Sequence, residues 1–344
     1  MSLDFGRRTI VLRPVTRLPL RPLVVCGVLV LAALAVAVLA LGTGEVGMAP
    51  AGVLRALAGS GSGADHLVVV EWRLPRVLLA LILGAALGLA GAIFQALTRN
   101  PLGSPDVIGF NTGALTGVLI TTLTVGAGYY VTAAGALAGG LLTAAAVYLF
   151  AFRRGVQGFR LIIVGIAVSA VLTSANEWLI IKADLQVALA ASIWGQGTLN
   201  NAAWRGVGPA ATVLGVLAVA LLAMGPRLSL LEMGEDAAAA LGVRVERTRL
   251  AYLVIGVALT AAVTAAAGPI SFVALSAPQL AQRLTRTPGI ALGPAAAMGA
   301  LLLIVSDWLA QHAFAPTQLP VGVVTVAVGG IYFVWLLLRQ GRKQ

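Results

Sequence analysis

VLLALILGAALGLAGAIFQAL, from Val77 to Leu97, is the stretch on which the fold turns. No charged side chain interrupts it, and a helix of that length covers about 30 Å, the hydrocarbon thickness of a bilayer. Arg73 and Arg76 bound it on one side and Arg99 on the other. Gly84 and Gly88, four apart, share a helical face. Small faces of this kind let helix backbones approach where lipid supplies no hydrophobic drive between helices. Gly113 with Gly117 and Gly135 with Gly139 repeat the spacing and predict tight helix packing.

Working outward, about ten such stretches recur between charged residues. The others are Leu23 to Leu41, Thr112 to Val125, Val131 to Phe152, Leu161 to Ile181, Val207 to Met224, Leu250 to Ala267, Ser271 to Leu284, Ile290 to Val305 and Val321 to Leu338. The Ser271 stretch is short and follows Gly268-Pro269, so it fits a membrane only where neighbouring protein shields its backbone. Composition agrees. Of 344 residues, 59% are hydrophobic and 10% charged, and the mean hydropathy is +0.98. A soluble domain carries about 25% charged residues; this chain lacks the polar surface to cover itself. The expectation is an all-α integral membrane protein in which 23–338 form the transmembrane domain, 1–22 a basic leading segment and 339–344 a short tail.

The net charge is +11. Topology explains it better than a nucleic-acid partner, because cytoplasmic loops of membrane proteins collect Lys and Arg. Threading the ten stretches with the N-terminus inside puts 18 of the 23 basic residues on the inner side, among them Arg7, Arg8, Arg153, Arg154, Arg342 and Lys343. Only Arg55, Arg73, Arg76, Lys182 and Arg205 remain outside. Both termini are therefore expected in the cytoplasm. The run after Arg21 is longer than a signal-peptide core and reads as a retained span.

Cys26 is the sole cysteine, which excludes a disulfide within the chain. His66 and His312 lack a second ligand at metal-binding spacing, and no glycine-rich loop ends in Gly-Lys-Ser or Gly-Lys-Thr. No catalytic, cofactor or metal site is expected; energy for active transport must come from another subunit or an ion gradient. In the cytoplasmic interruption 227–249, Glu235 and Asp236 open an Ala-rich helix that Gly242 is suited to end. That helix is a candidate plug for a soluble partner. Outside, Glu71-Trp72-Arg73-Leu74-Pro75-Arg76 is either an interfacial anchor or a docking patch for acidic residues. Asn176-Glu177 lies near the outer end of the fifth span, where a carboxylate must face protein or water. A pathway role and a structural role are both open to Glu177; Asp307 reads as a structural hydrogen-bonding residue.

Several separated motifs then occur in a known order. Arg73-Leu74-Pro75-Arg76 leads to Gly84 through Gln95, then to Arg99-Asn100-Pro101-Leu102-Gly103-Ser104-Pro105-Asp106. Gly234-Glu235-Asp236 and Leu241-Gly242-Val243 follow, then Gly268 to Leu275, Asp307, and Leu319 to Thr325. From Glu71 to Lys343 the chain resembles the FecCD/BtuC family of type II ABC importer permeases, the membrane subunits for uptake of iron siderophores, haem and cobalamin. Asn100 to Asn111 and Leu319 to Tyr332 are most similar to its ferric-enterobactin branch, G type.

The resemblance implies ten spans in a BtuC-like fold in a bacterial cytoplasmic membrane, and a transport subunit rather than an enzyme. It also implies a paralogous permease as heterodimer partner, two copies of an ATPase that binds ATP and Mg, and an extracytoplasmic siderophore-binding protein. Arg73 and Arg76 match the arginines that meet that protein. Leu231, Gly234, Glu235, Asp236, Leu241 and Gly242 match a coupling helix from Leu231 to Leu241 seated in the ATPase, and Asn176 and Glu177 lie on the span that lines the pathway. The implied cargo is a ferric siderophore, catecholate first, with another iron chelate, haem or cobalamin as alternatives. An ion-coupled secondary transporter would need intramembrane relay groups, which are scarce in this chain. The chain departs from the family at Gln279 and Gln282, where many members have His and Arg, at Gln311, where many have a docking arginine, and at Gly330. Losing that arginine favours a heterodimer whose partner supplies it.

Overall fold

The computed structural model describes residues 9–13, 16–44, 47–60, 63–126, 128–151, 158–225 and 227–341. Arg7, Arg8, Arg153, Arg154, Arg342 and Lys343, which contribute to the inner-side charge, lie outside the described residues. The described residues open on an antiparallel ribbon, β1 (Thr9–Arg13) with β2 (Thr16–Pro19), in which Thr9 faces Pro19. These are the only strands among the described residues and the one departure from an all-helical chain.

Helices follow in order. The first are α1 (Leu20–Gly42), α2 (Pro50–Leu57), α3 (Gly63–His66), a π-helical segment Leu67–Arg73, and α4 (Leu74–Thr98). A 3-10 turn, Pro105–Ile108, precedes α5 (Phe110–Thr124), α6 (Tyr129–Ala151), α7 (Gly158–Lys182) and α8 (Leu185–Trp194). Then come α9 (Trp204–Met224), α10 (Arg227–Glu232), α11 (Glu235–Ala240) and α12 (Val245–Ala267). The last are α13 (Val273–Thr285), α14 (Leu292–His312) and α15 (Val321–Gly341). Each of the ten expected stretches is thus a helix. Among the described residues, seven helical runs are long and apolar enough to cross a membrane. The other three expected spans are α5 and α13, of 15 and 13 residues, and α15, apolar from Val321 to Tyr332.

No residue of α4 is exposed, and away from its ends only one face, with Leu78, Leu81, Ile82, Ala85 and Leu89, is less than fully buried, as suits a helix apolar all round. Gly84 and Gly88 put its backbone against α14: a Cβ on Gly84 would meet the Gly299 carbonyl, and one on Gly88 the Ala295 carbonyl. α5 and α6 repeat this contact, Gly113 and Gly117 facing Gly139 and Gly135. Gly88→Val is expected to cost about 1–3 kcal/mol through overpacking, because the obstacle is backbone rather than a movable side chain. A Gly88→Val permease with an unchanged melting midpoint in detergent would remove this contact from the fold's supports.

The short α13 is shielded as its Gly-Pro opening predicts. Val273, Ala274, Ala277, Pro278 and Ala281 are all buried. Pro278 has no N–H for the carbonyl of Ala274, and Gly91 of α4 lies directly against that carbonyl oxygen. Gln95 of α4 donates Nε2–H to the Leu275 carbonyl at 2.9 Å. The like-worded Thr98-Arg99 and Thr285-Arg286 end α4 and α13 in one way, with Arg99 and Arg286 at φ 48° and 52° in the left-handed region. The echo in the sequence is a shared helix stop.

Candidate functional site

At one end of α4 the two candidate docking arginines turn inward. Arg76 donates from Nε and Nη2 to the Asp307 carboxylate of α14 at 2.9–3.1 Å. It also reaches Asn200 Oδ1 at 3.0 Å and Gln318 Oε1 at 3.2 Å, so one guanidinium ties α4 to two loops. Its side chain is 12% exposed and that of Asp307 1%. Gln311, one turn beyond Asp307, donates Nε2–H to Oδ2 at 2.8 Å. An amide at that position leaves Arg76 as the one cation bonded to the carboxylate among the described residues. Arg73 donates to the Leu41 carbonyl at 2.8 Å, at the last turn of α1. Glu71 and Trp72 are the exposed groups of the motif. The π-helical turn just before α4, invisible to a 3.6-residue period, carries them.

At the opposite end the candidate coupling segment is two short helices. A continuous helix from Leu231 to Leu241 is not formed: α10 ends at Glu232, and Gly234 at φ 116° breaks the path before α11. Leu231 therefore sits on α10, while Glu235 and Asp236 open α11. Gly242 at φ 81° closes α11, its N–H bonding to Ala239 O and that of Val243 to Ala238 O. This is the Schellman pattern. Leu231 and Ala238 point into the protein, whereas Met233 is 68% and Leu241 61% exposed. Glu235 pairs with Arg249 of α12 and, at 3.5 Å, with Arg99 at the end of α4. α11 is thereby tied to two long helices, and its tip presents apolar side chains.

Glu232 adds a second tie that sequence reading missed. Its carboxylate accepts the Ile290 N–H at 3.2–3.3 Å, holding α10 to the α13–α14 loop. It borders a 760 Å³ cavity with Gln95, Arg99, Asn100 and Gln282. Desolvation pushes the carboxyl above its usual range, against the Ile290 hydrogen bond that lowers it. The folded state therefore favours the protonated form. Its stabilising effect is complete below the unfolded value of about 4 and lost as pH rises through the raised folded value. Glu232→Gln keeps an acceptor and removes the titration. Its melting midpoint is expected to match wild type in acid and exceed it at neutral pH; a gap that widens on acidification would contradict this.

Asn176 is buried between α5 and α7. It accepts from Thr116 Oγ1 at 2.7 Å and donates to the Thr112 carbonyl at 3.1 Å. Glu177, next to it, faces out of the subunit. Gln279 donates to the Pro101 carbonyl, and Gln282 to that of Pro288 at 3.4 Å. A further, partly buried network is centred on Asp106, which accepts from Asn111 Nδ2 at 2.7 Å and from the Phe272 N–H. Thr264 of α12 joins it through Asn111 at 3.3 Å. Asp106 thus holds the start of α13, where Phe272 sits at φ 68°.

Comparison with known proteins matches residues 30–339 to the FecCD transport family. The chain is 49% identical over 324 residues to the ferric enterobactin transport system permease protein FepG of Escherichia coli, covering 94% of this chain and 98% of that one. It is 34% identical to the iron(3+)-hydroxamate import system permease protein FhuG of Bacillus subtilis, covering 93% and 98%. A solved inward-facing structure, of a transporter assigned to the metal-chelate ABC type, superposes with a TM-score of 0.81 at 26% identity, covering 92% of this chain and 99% of that one. With its helices in that arrangement and its motifs in that order, the chain belongs to the FecCD transport family of multi-pass membrane permeases.

Proposed function

We propose that this chain is one permease subunit of an ATP-driven importer that carries a ferric siderophore of the enterobactin type across the bacterial cytoplasmic membrane. The observation that carries the reading is the 49% identity to the E. coli ferric enterobactin permease over nearly the whole of both chains. Both termini and the α10–α11 segment then face the cytoplasm, in line with the positive-inside bias. Two copies of a separate ATPase supply the energy, and Met233 and Leu241 with the exposed side of α11 form the seat of one. The end carrying Arg73 and Arg76 receives an extracytoplasmic binding protein. There the Arg76–Asp307 pair sets the shape of the seat, and the exposed Glu71 and Trp72 meet the visitor. A paralogous permease completes the pathway, and Glu177 on the outward face of α7 stands at its wall. Gln311 in place of a docking arginine supports a heterodimer.

Ligand-dependent ATP hydrolysis by the four-component complex in lipid vesicles tests the reading. Ferric enterobactin with its binding protein is expected to stimulate hydrolysis. Stimulation by cobalamin or a ferric hydroxamate instead would reassign the cargo, and no stimulation by any chelate would refute the importer.

A further inference from the structure

Two cavities merge on the face formed by α6, α9 and α12. The first, of about 350 Å³, lies at the same end of the bundle as Arg76 and is walled by Tyr129, Thr132, Trp194, Thr198, Asn201 and Arg205. The second, of about 410 Å³, continues from it along the helices and is lined by apolar groups such as Ala134, Leu137, Leu141, Pro209, Val213 and Ala262. Tyr129, Ala265 and Ala266 wall both. The helix faces beside the groove expose Leu142, Val216 and Val219. In a chain that spans the bilayer, a surface of that kind is suited to lipid tails.

Arg205 lines the first cavity beside Tyr129, which walls both. Its guanidinium carbon lies 5.3 Å from the centre of the Tyr129 ring. Among the described residues no carboxylate pairs with it. The ring face leaves its N–H groups unspent, and a cation at the hydrocarbon boundary is costly unless it reaches an anion or water. Gly206 gives the ring its place: a Cβ there would stand 2.9 Å from the Tyr129 hydroxyl. The apolar groove begins within one helical turn, so an anion that fits both parts carries a hydrocarbon tail.

We propose that this double cavity binds one anionic glycerophospholipid. Its phosphate sits on Arg205, beside the hydroxyl and amide groups of Tyr129, Thr198 and Asn201, and one acyl chain lies in the groove between α6, α9 and α12. Beyond the two tyrosines at its mouth, Tyr129 and Tyr130, the apolar part offers a siderophore only aliphatic groups, which argues for a lipid over the cargo. Such a lipid bridges α6 and α9 to α12, the helix that follows α11 directly in the chain.

Native mass spectrometry of the full-length permease, purified in detergent and supplied with phosphatidylglycerol, tests this. Wild type is expected to retain one phosphatidylglycerol per chain. Arg205→Gln is expected to retain it on the order of tenfold less, the loss of a charge-assisted contact, and Ala262→Phe, which fills the groove, to lose it comparably. Arg55→Gln, a surface change at the same end, leaves retention unchanged. Monodisperse elution with an unchanged melting midpoint shows that each variant is folded. Equal retention by Arg205→Gln or by Ala262→Phe would overturn the proposal. Displacement of the lipid by excess inorganic phosphate would also overturn it, since the site would then be a phosphate site without use for a tail.

Discussion

Arg76→Leu is expected to destabilise the purified permease by about 3–5 kcal/mol, the cost of stranding a buried carboxylate. Asp307 is buried at the last turns of α14, and its remaining hydrogen-bonding side chain would be the neutral amide of Gln311. An amide cannot replace the charge of a guanidinium. The double variant Arg76→Leu with Asp307→Leu should recover most of the loss, since a packed apolar pair avoids the desolvation of both ions. Melting or denaturant midpoints for all four members of the cycle check this. A loss under about 1 kcal/mol for Arg76→Leu would be the behaviour of an exposed pair. It would contradict a structural role for the Arg76–Asp307 link, and would return Arg76 to the surface as a docking charge.

Ala239→Arg is expected to abolish import while leaving the permease folded. Ala239 is exposed on α11, whereas its neighbour Ala238 is fully buried. The longer side chain therefore projects into the proposed ATPase seat without disturbing the Schellman closure behind it. Placing a cation in the centre of a desolvated contact costs about 2 kcal/mol or more at a typical hot spot, roughly thirtyfold in affinity. Uptake by cells carrying the variant should fall accordingly, and the ATPase should co-purify with it poorly. Normal ATP-driven uptake by Ala239→Arg would move the coupling contact away from α11.

The membrane fold is readable because lipid imposes a simple demand: a run of apolar residues long enough to cross, interrupted by charge where the chain emerges. Each predicted stretch, even the short one after Gly268-Pro269, is a helix for that reason. The paired glycines are legible too, since only a face without side chains allows the approach seen between α4 and α14 or α5 and α6. Partnership is not legible. Nothing local in Arg-Leu-Pro-Arg says that Arg76 meets an aspartate 231 positions away. The tie between Glu232 and Ile290 and the Asp106 network depend likewise on which helices become neighbours. α11 shows the boundary between the two kinds of information. Its acidic start and glycine stop are local signals, and both hold; the longer helix from Leu231 is implied by the family resemblance, whereas Gly234 before the acidic pair is where the chain breaks. A π-helical turn before α4 has no sequence signature at all.

The proposed permease moves its cargo only when driven by a nucleotide-hydrolysing partner. Uptake of iron-labelled enterobactin into vesicles measures that directly. Accumulation against a gradient is expected when permease pair, binding protein, ATPase and ATP are all present, and none when the ATPase is omitted. Accumulation by the permeases alone, or accumulation abolished by collapsing an ion gradient while ATP remains, would contradict it.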